Sequence, residues 1–192
     1  MVVTWMHVIR GFRYAFSATF LSLLVLGPPG VTLVPGLAMP AIHDLSTDLA
    51  DPPRFTVALL DRPEWANVIE PANPDGAVAA AQRQFYPDIV PLVLQMQPEE
   101  GFEFAMRAAT ELGWQITASI EPPLPEAEGQ IEAIAHTDII RFDDDVAIRV
   151  RRDENGTRFD IRSVSRFGRS DLGRNAARIR AALNLIEQFS DE

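Results

Sequence analysis

The sequence predicts an α+β fold: a two-layer domain with a four-stranded antiparallel meander flanked and covered by helices. An extended Pro-rich segment precedes it. Three observations predict this. Residues 98–112 and 171–189 repeat apolar side chains at helical spacing, while the segments between them alternate every second residue. The alternating segments follow one another by short connections, which favours antiparallel neighbours. The helices bracket the strands in chain order and are expected to cover one face of their sheet.

The elements follow in order. Residues 1–38 are expected to form a signal peptide or membrane anchor. Arg10 and Arg13 precede an apolar run from Tyr14 to Leu26, and Gly27-Pro28-Pro29-Gly30 stops it. Thirteen helical residues span about 20 Å, short of the roughly 30 Å hydrocarbon core. Gly36-Leu37-Ala38 suits cleavage after Ala38; an uncleaved anchor would use residues 12–34, with the Arg flank inside and the rest outside. Residues 39–74 are an extended lead-in with six prolines and one apolar stretch, Phe55 to Leu60, expected as a strand.

The α+β domain is expected over residues 75–189. A helix over 75–85 takes Asp75 as its cap. A second begins at Pro98, with Glu99 and Glu100 in the first turn and Gly113 closing it. Strands follow over Trp114–Ile120, Gln130–Thr137 and Val146–Arg152. Asn155-Gly156 signals a two-residue hairpin to a fourth strand. That turn would set Val150 opposite Ile161, Arg151 opposite Asp160 and Arg149 opposite Arg162. The last helix carries Leu172, Ala176, Ile179, Leu183 and Ile186 on one line, capped by Ser170 or Asp171.

Composition narrows the function. The chain has no Cys and three His, which excludes disulfide frameworks, thiolate metal sites and cysteine nucleophiles. The net charge of −10 argues against nucleic acid. Its distribution is uneven, however. Residues 42–145 hold 20 acids and 5 Arg, whereas residues 146–182 hold 10 Arg and 4 acids.

That basic block contains the candidate site. A strand end, a glycine turn and a helix start follow one another through Arg166, Gly168, Arg169 and Ser170. Free N–H groups at a helix start attract anions, and an Arg149–Arg162 pair across the sheet would call for an anion between them. The rival account gives these arginines to nearby acids. Asp143-Asp144-Asp145 cannot converge on a cation from one strand, because successive side chains point to opposite faces; they suit a solvated turn or the adjacent arginines. His43, Asp44 and Asp48, with Ser46 nearby, are the best residues for a hydrolase-like enzyme, but adjacency in sequence does not make a triad.

These blocks together resemble a known family. They run from Ile42-His43-Asp44 through Asp51-Pro52-Pro53-Arg54-Phe55, Tyr86-Pro87-Asp88-Ile89, Gly113-Trp114 and Asp144-Asp145-Val146. The last is Arg162-Ser163 through Gly168-Arg169-Ser170-Asp171-Leu172-Gly173 to Asn175-Ala176 and Arg178-Ile179-Arg180. The succession, over about residues 42–185, resembles the bacterial domain-of-unknown-function family numbered 1499. The resemblance implies a hydrophobic N-terminal segment, as many members carry, and implies no activity. The sequence departs from the family at Asp138-Ile-Ile-Arg-Phe142, where a Phe-Gly-Phe-like patch is usual.

The resulting expectation is a domain outside the cytoplasm, periplasmic or tethered to the inner membrane, that binds rather than catalyses. The ligand is an anionic small molecule, a lipid headgroup or an acidic envelope-protein surface. Arg149, Arg162, Arg166, Gly168, Arg169 and Ser170 hold it, with no cofactor, metal or nucleic acid. The alternative is a structural subunit of an envelope complex whose arginines serve only the fold.

Overall fold

Long alternating runs on either side of one tight turn build the centre of the sheet. The computed structural model describes residues 14–17, 19–22, 39–69, 71–122, 127–137 and 142–192. It divides into two units, Met1–Met39 and Pro40–Glu192. In the first, residues 14–17 and 19–22 are helical; Ala38 and most of the segment expected as a signal peptide or anchor lie outside the described residues. No helix among the described residues is long and apolar enough to cross a membrane.

The second unit contains, in chain order, β1 (Asp44–Ser46), α1 (Ala58–Asp61), α2 (Ala77–Phe85), β2 (Leu92–Leu94), α3 (Pro98–Glu111), β3 (Gln115–Ile120), β4 (Gly129–His136), β5 (Asp143–Asp153), β6 (Gly156–Ser165) and α4 (Arg174–Ser190). The class is α+β, as the sequence predicts, but the sheet has six strands rather than four. β3, β4, β5 and β6 pair in succession, and β1 and β2 both pair antiparallel with the free edge of β6. β2 takes Thr157–Phe159 and β1 takes Arg162–Val164, so the two short strands lie end to end along one long one. A bulge between Ile116 and Ala118 interrupts the β3–β4 ladder. Thr117, the extra residue, buries a hydroxyl without a partner.

One face of the sheet is apolar. Ile131, Val146, Ile148, Val150, Phe159 and Ile161 pack there against Phe102, Ala105 and Ala109 of α3 and Ala176, Ile179 and Ile186 of α4. Small residues on the helices let the backbones come close to the sheet. The helix starts differ from expectation. α2 begins at Ala77 with Gly76, not Asp75, at its cap. α4 begins at Arg174 after Gly173, whose φ of 84° turns the chain. Asp171 still serves that terminus, accepting the N–H groups of Gly173 at 2.9 Å and Asn175 at 2.7 Å.

The hairpin register also differs. Asp153 pairs with Gly156, so Glu154-Asn155 forms the turn. The Asp153 carboxylate accepts the Asn155 N–H at 3.0 Å, closing an Asx turn. Gly156 is needed inside the ladder instead: its φ is +132°, and a Cβ there would collide with the Leu94 carbonyl oxygen of β2. The two-residue slip keeps every side chain on its face and changes every partner. Arg149 faces Asp160, not Arg162.

The second sheet face is not bare, so the two-layer expectation is incomplete. The Pro-rich lead-in lies over it as a third layer. Phe55 and Ala58 bury against Ala147 and Val164. The strand expected over Phe55–Leu60 is instead a loop and the short α1. The Glu132 carboxylate accepts the N–H groups of Thr56 at 2.7 Å and Ala58 at 2.9 Å, which leaves neither for a ladder.

Candidate functional site

Alternation along β4, β5 and β6 puts Glu132, Asp145, Arg149, Asp160 and Arg162 on the face beneath the lead-in, all buried. Burying a charge is costly unless it is paired and hydrogen-bonded. Here the lead-in supplies the pairs. Arg149 is 5% exposed. It donates to Asp160 at 2.9 Å, to Asp51 at 2.8 Å and to the Asp51 carbonyl at 2.8 Å. Burial pulls the Arg149 pKa down, but the Asp160 and Asp51 carboxylates outweigh it and hold the group above its ordinary value. Arg151 and Arg158 sit directly opposite each other and share Asp48 and Asp160, at 2.8 to 3.2 Å.

Two further arginines repeat the pattern. Arg162 grips Asp44 through two bonds, Nε at 2.9 Å and Nη2 at 2.6 Å. Arg166 grips the fully buried Asp145, which Arg62 also reaches. Strand alternation turns Asp144 away from its two neighbours, to Arg178 at 2.7 Å. Asp143 and Asp145 both lie within reach of Arg166, at 3.7 and 2.7 Å, and Asp143 also meets His136 at 2.7 Å.

The six residues expected to hold an anion are therefore placed differently from one another. Arg149, Arg162 and Arg166 are buried on carboxylates. Gly168, with φ +89°, gives its carbonyl to Asn67 Nδ2 at 2.8 Å. Ser170 Oγ donates to the Pro40 carbonyl at 3.2 Å and accepts the Leu172 N–H. Arg169 is exposed and has no carboxylate partner among the described residues. Of the enzyme candidates, Asp44 and Asp48 are taken up by arginines, whereas the His43 imidazole has no hydrogen-bond partner among the described residues.

A groove of about 430 Å³ opens beside this layer, between β1 and α2. Its walls are mainly apolar, from Ile42, Leu49, Pro52, Ala72, Val78 and Ala79. His43, Asn73 and the Asp44–Arg162 pair contribute polar groups. Gln82 holds the two walls together. Its amide accepts the Ser46 N–H at 3.2 Å and donates to the Ser46 carbonyl at 2.7 Å, so a side chain completes the edge of β1.

Sequence reasoning missed Gln82, because it looks like one more polar residue on a surface helix. It also left Asn175 without a role, although it sits in the most motif-like block. That side chain is fully buried and joins Ser163, Ser165 and the His43 carbonyl, at 2.8 to 3.1 Å. A buried amide beside two serines is legible only once α4 is placed against β6.

A family model described as a protein of unknown function (DUF1499) matches residues 44–186. No curated protein and no solved structure matches the chain.

Proposed function

Since the chain belongs to the DUF1499 family, whose description carries no activity, we propose a function from the site itself: a membrane-tethered or exported envelope domain that binds a small ligand in the β1–α2 groove. The ligand has an apolar body and an anionic head. The body suits the walls from Leu49, Pro52, Ala72 and Val78. The head suits the His43 end, where the imidazole can donate or accept and Arg162 adds positive charge beside Asp44. The carrying observation is this groove, mostly apolar with a few convergent polar groups, which is the usual form of a small-molecule site.

Binding rather than catalysis is supported by the commitments of the neighbouring acids. Asp44 and Asp48 are bound to guanidinium groups, so neither is placed to orient His43 as a base. The location outside the cytoplasm rests on the Arg-flanked apolar run from Tyr14 to Leu26.

Anilinonaphthalene sulfonate, apolar with one anionic group, is a suitable probe. Its emission should rise on the folded chain, weaken with His43→Ala and vanish with Ala72→Trp, which fills the groove. Emission unchanged in Ala72→Trp, with the far-ultraviolet spectrum intact, would sink the reading.

A second reading keeps the protein as a structural subunit of an envelope complex. The carboxylate partners of Arg149, Arg162 and Arg166 favour it. It expects arginine substitutions to lower the melting temperature, and probe binding to be absent from the groove.

A further inference from the structure

Arg151 and Arg158 face each other directly across β5 and β6, with Arg149 two residues along the same face. Like charges opposite one another in a sheet repel unless an anion lies between them. Two carboxylates do so here, Asp160 from within the sheet and Asp48 from the lead-in. Asp48 is the poorer fit. Its Oδ1 accepts the N–H groups of Ala50 and Asp51, both at 3.0 Å, which closes a local turn. Only Oδ2 is left for the arginines, and all three reach it: Arg158 at 2.8 Å, Arg151 at 3.2 Å and Arg149 at 3.3 Å.

One oxygen cannot serve three guanidinium groups well. A charge-assisted N–H···O bond is ordinarily about 2.7–2.9 Å long. Arg151 has no carboxylate that close: Asp48 and Asp160 lie at 3.2 Å, Glu128 at 3.5 Å and Asp51 at 3.9 Å. A phosphate group offers three acceptor oxygens. Each guanidinium could then bond an oxygen of its own.

Charge and access favour the same ligand. Without the Asp48–Asp51 turn, Arg149, Arg151 and Arg158 carry +3 against −1 on Asp160, a surplus of two. That matches the roughly two negative charges of a phosphate. Arg54 and Glu128 stand exposed at the rim with opposite charges. The side chains of Arg151 and Arg158 are 25% and 26% exposed, whereas those of Arg149 and Asp160 are buried. The cluster therefore has a closed base and an open mouth. The Asp48–Asp51 turn lies between β1 and α1, outside every ladder, so its departure breaks no strand pairing.

We propose that Arg149, Arg151 and Arg158 form a binding site for a phosphate group, free or on a monoester, in which the Asp48–Asp51 turn is the resident occupant and exchanges with it. The site goes beyond the β1–α2 groove and does not depend on it. Isothermal titration with inorganic phosphate tests it, at an ionic strength fixed with sodium chloride. Wild type should bind weakly, because the tethered turn competes. Asp48→Asn with Asp51→Asn vacates the arginines and should tighten binding about tenfold or more. Adding Arg151→Gln should abolish the gain. Phosphate should also raise the melting temperature of the double variant above its value in chloride. Glycerol phosphate, titrated in parallel, separates the sources: binding as tight as that of inorganic phosphate assigns a monoester, and weaker binding assigns the free anion. Equal affinity in wild type and double variant, or a gain that survives Arg151→Gln, overturns the site. Should the double variant fail to fold, Asp51→Asn takes its place, since Asp51 is half exposed. A smaller gain is expected there, and no gain overturns the site.

Discussion

Arg166 holds Asp145 in a two-point grip, Nε and Nη2 at 3.1 and 2.7 Å from its carboxylate oxygens, with both residues buried. The pair links the end of β6 to the start of β5, and Arg62 binds the same carboxylate from the lead-in. The hydrogen bonds to Asp145 hold the Arg166 pKa above its ordinary value despite burial. Removing Arg166 leaves a fully buried carboxylate with one cation instead of two. Arg166→Ala should cost about 3 kcal/mol in urea denaturation, the range for a broken buried pair. A loss below about 0.5 kcal/mol, the range of an ordinary surface substitution, would show that Arg62 alone suffices.

Glu132 should make the docking of the lead-in sensitive to acid. Burial alone would push its carboxyl up, but the N–H groups of Ala58 and Thr56 and the Thr56 hydroxyl outweigh that and hold it below the ordinary value. A depressed carboxyl stabilises the fold above its unfolded pKa, about 4.3. That contribution is lost as pH falls through the lower folded value. Asp171 acts in the opposite sense: burial raises its carboxyl, so its contribution improves as pH falls. Glu132→Gln should cost about 1–2 kcal/mol at neutral pH and flatten the loss of stability below pH about 4. An unchanged acid limb in the variant's pH–stability curve would count against Glu132.

Gly156 should tolerate no side chain. Its φ of +132° is a region that L residues avoid, and a Cβ would meet the Leu94 carbonyl. Gly156→Ala should destabilise by about 2 kcal/mol or more. Its signature is local: the amides of Leu92–Leu94 should lose hydrogen-exchange protection before those of β4. Equal protection in variant and wild type would refute the close approach of β2.

Gln82 should matter more than a helix-surface amide usually does. Its two bonds to Ser46 close the outer edge of β1. Gln82→Leu should cost about 1–3 kcal/mol through an unsatisfied backbone pair. It should also favour association through the opened edge, visible by size-exclusion chromatography. A monomeric variant of wild-type stability would show that β1 needs no cover.

Much of the sheet was legible. The alternation of β5 and β6 assigned Val150, Ile148 and Ile161 to the core face, and they are buried there. The apolar line of α4 was likewise readable, through Ala176, Ile179 and Ile186. The lead-in was not. Its prolines and scattered acids resemble a connector, and nothing local indicates that Asp44, Asp48 and Asp51 meet arginines about a hundred residues later. The groove was unreadable for the same reason, since β1 and α2 make it jointly.

By itself the sequence determined α2, α3, α4 and the strands β3 to β6, their order and which of their side chains share a face, because periodicity of 2 or 3.6 is a property of neighbouring residues. Tertiary structure decided the register, the partners and the third layer. A slip of two residues in the hairpin is invisible to periodicity, yet it replaces an Arg149–Arg162 repulsion with the Arg149–Asp160 pair. The choice is made by the Asx turn at Asp153 and by the space that Leu94 leaves at Gly156. Burying that charge is tolerable only because the lead-in brings Asp51 and Asp48 onto the same guanidinium.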